Sequence, residues 1–140
     1  MADTGALKLP PHSVDAEQSV LGGLLLDDAA WELVADRLVE DDFYRQDHRL
    51  IYRAAYSVHE QGRPCDVITV AEWLDNQALL DRAGGMEYLG TLAGGMPSAA
   101  NISAYADIVR ERSITRQLIQ VGTEITTSGF APEGRSVPEL

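Results

Sequence analysis

From Asn101 to about Gly129 the chain reads ISAYADIVRERSITRQLIQVGTEITTS between its ends, the longest helical pattern present and an unusually long one for 140 residues. In its second half Ile114, Leu118, Val121 and Ile125 are spaced by four, three and four, a narrow stripe like one seam of a coiled coil. Such a stripe wants a partner helix packed at roughly 20°. The expected partner is the helix that SVPEL begins, because Ser136 and Glu139 have capping-box spacing and Pro138 suits a first helical turn. GFAPEGR, with two glycines and a proline, is the right kind of connection for a helical hairpin. Nucleation is costly, so a start signal with about one residue after it forms no stable helix. The expectation is therefore of a truncated hairpin, and of a seam that pairs with the same seam of a second chain.

The rest of the chain shares the helical period. Apolar residues recur at three and four positions without sustained alternation, which predicts an all-α fold. Ser13 should cap a first helix that buries Ala16, Val20, Leu21, Leu24 and Leu25, with Asp15 and Glu17 at the positive end of its dipole. Asp27 or Asp28 should cap a second helix carrying Trp31, Val34, Leu38 and Val39. Asp47 is expected to cap a helix with Leu50, Ile51, Ala54, Ala55 and Val58 that stops at Gly62-Arg63-Pro64. Thr69 and Glu72 have capping-box spacing before Val70, Trp73 and Leu74. Glycine pairs bracket a short helix, MEYLGTLA. The expected organisation is a flexible arm at 1–12, a compact multi-helix head at 13–95, and at 96–140 the long helix with the start of its hairpin partner.

Composition removes several classes of function. Twenty-two acidic against eleven basic residues give a net charge of −11, which repels phosphate backbones, although Arg110, Arg112 and Arg116 form a local patch that could touch nucleic acid weakly. A lone cysteine, Cys65, permits no internal disulfide and points to a reducing, cytoplasmic setting; its neighbours Pro64 and Asp66 disfavour a reactive thiolate. No stretch approaches the roughly 18 apolar residues of a membrane span, so no membrane partner is expected. The single lysine, Lys8, precedes the first helix, so there is no phosphate-binding loop. His48 and His59 share a helix face but lie about 16 Å apart along it, too far to share one metal. Glu40, Asp41 and Asp42 read as a solvated connection and cap, with metal ligation as the sharper alternative. No catalytic, cofactor-binding or metal-binding residue is assigned. Tyr88, on the short helix, and Ile119, about 100° off the seam, are either core filling or a semi-exposed contact for another protein.

PPHSVDAEQSVLGGLLLD at 10–27, DDFYRQDHRLIY at 41–52, GGMEYLGTLAGGMPSAANISAYADIVRER at 84–112 and GFAPEGR at 129–135 together resemble the N-terminal domain of the bacterial replicative DNA helicase, the DnaB family. The resemblance spans residues 10–140 with the motifs in family order. It implies a helical head, a hairpin, and beyond them a linker helix and an ATPase motor that would hold ATP and magnesium and most of the DNA contact. It also implies pairing of the domains as a trimer of dimers in a hexamer, and docking of primase, with a helicase loader as a further possible partner. Carried over by position, Tyr88, Ile119 and Ile125 fall where primase binding is expected, with Asp15 a weaker candidate. This chain by itself is then a non-catalytic collar domain of an ATP-dependent 5'-3' DNA helicase. The alternative is a freestanding helical adaptor or regulator that shares the fold.

Overall fold

The computed structural model describes residues 9–95 and 99–131, and these contain helices and turns but no strand. Five α-helices form: α1 (Val14–Leu26), α2 (Gln46–Glu60), α3 (Val67–Asn76), α4 (Gly85–Gly94) and α5 (Ile102–Phe130). Residues Asp28–Leu33 and Glu40–Asp42 make two short 3₁₀ turns between α1 and α2.

α1 is the central helix because it is apolar nearly all round, the pattern of a helix with no face to give to water. It packs against α2, α4 and α5, while α3 bridges α2 and α4. Val20, Leu21, Leu24 and Leu25 are buried in the core with Ile51, Val58, Leu74, Leu89 and Ile102. Each such side chain contributes about 1.5–3 kcal/mol on full burial. Close approach of α1 to α5 depends on Gly23, where a Cβ would sit 2.9 Å from Ile102 Cδ1. No helix is long and apolar enough to cross a membrane among the described residues.

Most predicted boundaries hold, with local corrections. Ser13 caps α1 through its Oγ, which accepts the Ala16 N–H at 3.2 Å. Asp27 caps as expected, but what it starts is a 3₁₀ turn, and Val39 is 60% exposed rather than packed with Val34 and Leu38. Arg45, not Asp47, precedes α2, and Asp47 lies in its first turn, where it binds the Arg45 guanidinium at 2.6 and 3.0 Å. The capping box of α3 belongs to Asp66 and Thr69, one turn earlier than Thr69 and Glu72. Asp66 accepts the Thr69 N–H at 2.9 Å and Thr69 Oγ1 accepts the Asp66 N–H at 3.0 Å. Glu72 instead meets Arg63. An aspartate is as good a cap as a threonine, so spacing alone could not choose between the two frames.

The long helix has two halves with different surroundings. Ile102, Ala106, Val109 and Ser113 face the head and are buried; beyond Ser113 no residue of α5 is buried. The same spacing of four, three and four reappears in Ile114, Leu118, Val121 and Ile125, one residue later, so the apolar stripe turns about 120° around the helix axis and leaves the head. These four side chains are 43%, 67%, 52% and 67% exposed. The expected partner helix at Ser136, Pro138 and Glu139 lies outside the described residues. At the other end, Pro11 accepts a hydrogen bond from Arg116 and His12 stacks on Tyr44, so the 10–12 part of the expected arm rests on the head.

Candidate functional site

Tyr88 is placed by a turn that only glycine fits. Gly84, at φ +102°, precedes α4, and a Cβ there would meet Tyr88 Cβ at 2.7 Å. The ring sits half-buried at the head's edge with its hydroxyl turned inward. Tyr88 Oη lies 2.6 Å from His48 Nε2 and accepts from Gln18 Nε2 at 3.2 Å. His48 is fully buried, and its Nδ1 lies 2.7 Å from Glu17 Oε1. Glu17, also buried, accepts the Tyr44 N–H at 2.7 Å through its other oxygen. A neutral imidazole with its proton on Nδ1 satisfies every link: His48 donates to Glu17, and Tyr88 donates to His48 while accepting from Gln18. No buried side-chain polar atom among the described residues lacks a partner.

Tyr88 combines features of both readings, core and contact. The tyrosine closes a buried polar chain and stays half-exposed, with the Arg45 guanidinium carbon 5.7 Å from the ring centroid. Asp15 is exposed on the neighbouring part of α1, where it lines a cavity of about 330 Å³ with Gln18 and Thr91. Ile119 is 53% exposed and belongs to a different cavity, next to Leu9, Tyr44 and Arg116. Ile125 lies six residues on, which is about 9 Å along the axis and 120° around it. It shares the seam with Leu118 and Val121, not the face of Ile119. The structure therefore places Asp15 in a cavity beside Gln18, which bonds Tyr88, and Ile125 on the seam, while Ile119 stands on its own flank.

Sequence reasoning missed Glu17, His48 and Asp42 as buried polar residues. A signal existed for the first two: Glu17 is in register with Val20 and Leu24, and His48 with Ile51 and Ala55, so each interrupts an apolar stripe. Asp42 corrects the reading of the acidic run as a solvated connection. It is buried, and its carboxylate accepts from Val39 N–H at 2.8 Å, Arg110 at 2.9 Å and Ser113 Oγ at 2.8 Å. Glu40 binds Arg53 through both oxygens, and Asp41 stays exposed. The basic patch is mostly spoken for, since Arg110 serves Asp42 and Arg116 holds backbone carbonyls. Cys65 is buried, and desolvation followed by the charges of Asp28 and Asp66 pushes its thiol up to about 12.

Among the described residues the fold is a helical head from which one helix projects with an exposed apolar stripe. The chain belongs to the family described as the DnaB-like helicase N terminal domain, whose model matches residues 9–111. It is 42% identical over 134 residues to the replicative DNA helicase DnaB of Haemophilus influenzae, a match covering 96% of this chain and 29% of that protein. The chain thus spans under a third of the length of this curated relative. The N-terminal domain of DnaB helicase from Mycobacterium tuberculosis superposes with a TM-score of 0.91 at 45% identity, over 94% of this chain and 92% of that one. A structure of a DnaB-like replicative helicase and its interactions with primase matches with a TM-score of 0.69 at 26% identity, over 84% of this chain and 27% of the other.

Proposed function

We propose that the chain is the assembly and partner-docking domain of a replicative DNA helicase, joining copies of itself through the α5 seam and receiving primase on the head. The observation that carries the reading is the stripe of Ile114, Leu118, Val121 and Ile125, all exposed on a helix that has left the head. Side chains that are already half-buried forgo roughly half of the about 1.5–3 kcal/mol that full burial contributes to each, so a cover for all four is worth a large share of a small domain's stability. A second copy offers the same stripe, and a two-fold contact lets each seam cover the other. Unwinding, with ATP, magnesium and most DNA contact, falls to a motor domain elsewhere in the longer polypeptide. Primase is assigned as partner because a related helicase was solved with its interactions with primase. Tyr88, Ile119 and Asp15 are the exposed or half-exposed candidates for that contact, whereas Ile125 serves the seam first.

Light scattering at micromolar concentration tests the self-association. The wild-type chain should be dimeric or larger and Leu118→Asp monomeric, with helicity retained. A wild-type chain that stays monomeric, yet is helical through Ile125, overturns this part of the reading. Titration of primase into the wild type, Ile119→Ala and Asp15→Ala tests the second part, which fails if none of the three differs or if primase does not bind at all.

A further inference from the structure

Arg49 and Arg116 face one cavity, and neither belongs to an ion pair of the described residues. Arg49 donates its Nε–H to the Phe43 carbonyl at 2.7 Å. Arg116 donates to the carbonyls of Pro11 at 2.8 Å and Asp42 at 2.6 Å. Most N–H groups of both forks therefore have no acceptor among the described residues. The cavity they share is about 720 Å³ and has no Asp or Glu in its lining; its walls include Leu9, Tyr44 and Ile119. The adjoining cavity of about 540 Å³, on the other side of the two arginines, contains Asp41 and Asp42. Among the described residues, then, no carboxylate lines the Ile119 side of the two arginines, in a chain whose net charge is −11.

The geometry is held in advance. Arg116 lies over the Tyr44 ring at 5.5 Å from its centroid, and the other face of the aromatic pair is His12, stacked at 4.2 Å and 17°. Burial and the like charge of Arg49 work against the charged form of Arg116, while Glu17, Asp42 and Tyr44 favour it. An anion between the two guanidinium groups would remove their mutual repulsion. A planar fork fixed by stacking and by two carbonyls matches the two oxygens of a carboxylate. A nucleic acid suits the place less well, because the surrounding acidic surface repels a polyanion while a single carboxylate meets only the local charge.

We infer that Arg49 and Arg116 form a carboxylate-recognition site for an Asp or Glu side chain of a protein partner, with an apolar neighbour of that residue seated on Leu9, Tyr44 and Ile119. The inference rests on the docking function above only in taking the partner to be a protein. The test is a titration followed by nitrogen–proton correlation spectra of the chain, with acetyl-Leu-Asp-Leu-amide as probe and acetyl-Leu-Asn-Leu-amide as its neutral match. The aspartate peptide should shift the signals of Tyr44, Arg49 and Ile119 saturably, and the asparagine peptide should bind about tenfold more weakly, as loss of a charge-assisted contact requires. Arg49→Gln should abolish the difference between the peptides, and Arg82→Gln, on an exposed stretch before α4, should preserve it. Equal binding of the two peptides to the wild type, or no saturable shift, overturns the inference without any variant. Displacement of the peptide by a short oligothymidylate at lower concentration overturns it in favour of a phosphate site. Failure of primase to bind leaves the difference between the peptides untouched, so the two results are separable.

Discussion

Glu17 Oε1 and His48 Nδ1 meet at 2.7 Å with both side chains out of contact with water, and this pair fixes the start of α2 against α1. A buried carboxylate persists because it is met by donors: the imidazole and the N–H groups of Tyr44 and Arg45. Removing one partner leaves the other desolvated and unpaired. Glu17→Ala should therefore cost about 1–3 kcal/mol for a buried donor left unpaired, read from urea denaturation. A loss below about 1 kcal/mol would mean that water enters and replaces the carboxylate.

Tyr88→Phe isolates the hydroxyl from the ring. It leaves His48 Nε2 buried without its partner, an expected loss of about 1–3 kcal/mol. Alanine at Tyr88 consequently mixes lost stability with lost contact and is a poor probe of partner binding. Ile119→Ala carries no such confusion, because the side chain is 53% exposed. It should change stability by no more than about 0.5 kcal/mol. Weaker primase binding by this variant, with an unchanged melting temperature, is the expected pair of results.

Two glycine substitutions should have opposite signs. Gly23→Ala drives a methyl group to 2.9 Å from Ile102 Cδ1 and should destabilise by about 1–3 kcal/mol, the usual range for overpacking. Gly90 lies inside α4 with nothing within 4 Å of a Cβ, so Gly90→Ala should stabilise by about 0.5–1 kcal/mol. Thermal melts of both variants check the pair. A stabilised Gly23→Ala would show that the Ile102 δ-methyl can turn aside without loss of packing.

The Cys65 thiol sets an alkaline limit. Its native value is pushed up from 9.0 to about 12, chiefly by burial, so the unfolded chain loses this proton first as pH rises. The stabilisation is complete below pH about 9 and is lost progressively from there towards pH about 12. The urea midpoint should fall across that window, and Cys65→Ala should flatten the fall. At pH 8 a thiol reagent should modify Cys65 only as fast as the protein opens.

The helices and the stripe on α5 were legible because they depend on local spacing: Ser13, Gly62 and Asn101 mark their boundaries whatever the chain folds into. The frame of α3 was not, since Asp66 and Thr69 are both acceptable caps and the Thr69 hydroxyl is turned back by the Asp66 N–H, which it accepts at 3.0 Å, and by the Pro64 carbonyl, to which it donates at 2.8 Å. Burial of Glu17, His48 and Asp42 was hidden for a different reason. Each is tolerated in the core through a partner 27 to 71 residues away, such as Tyr44 for Glu17 and Ser113 for Asp42. Periodicity can show that a charge interrupts an apolar face, but not that a donor waits opposite. Spacing left Tyr88 and Ile119 open between core and contact and the resemblance pointed them at primase, but neither their separation nor the arginines beside Ile119 could be read from spacing.

The step of the apolar stripe at Ser113 gives α5 the character of a spoke with a set phase. Its inner half is keyed to the hub, so the direction in which the outer half presents Leu118 and Val121 is counted in residues. One residue inserted between Arg112 and Ile114 would swing the outer stripe by about 100° and advance it by about 1.5 Å. Seven would lengthen the spoke by about 10 Å and return it to within about 20° of its original heading. Reach and bearing of the outer stripe are consequently separable quantities, tuned by the number of residues in one helix while the head remains as it is.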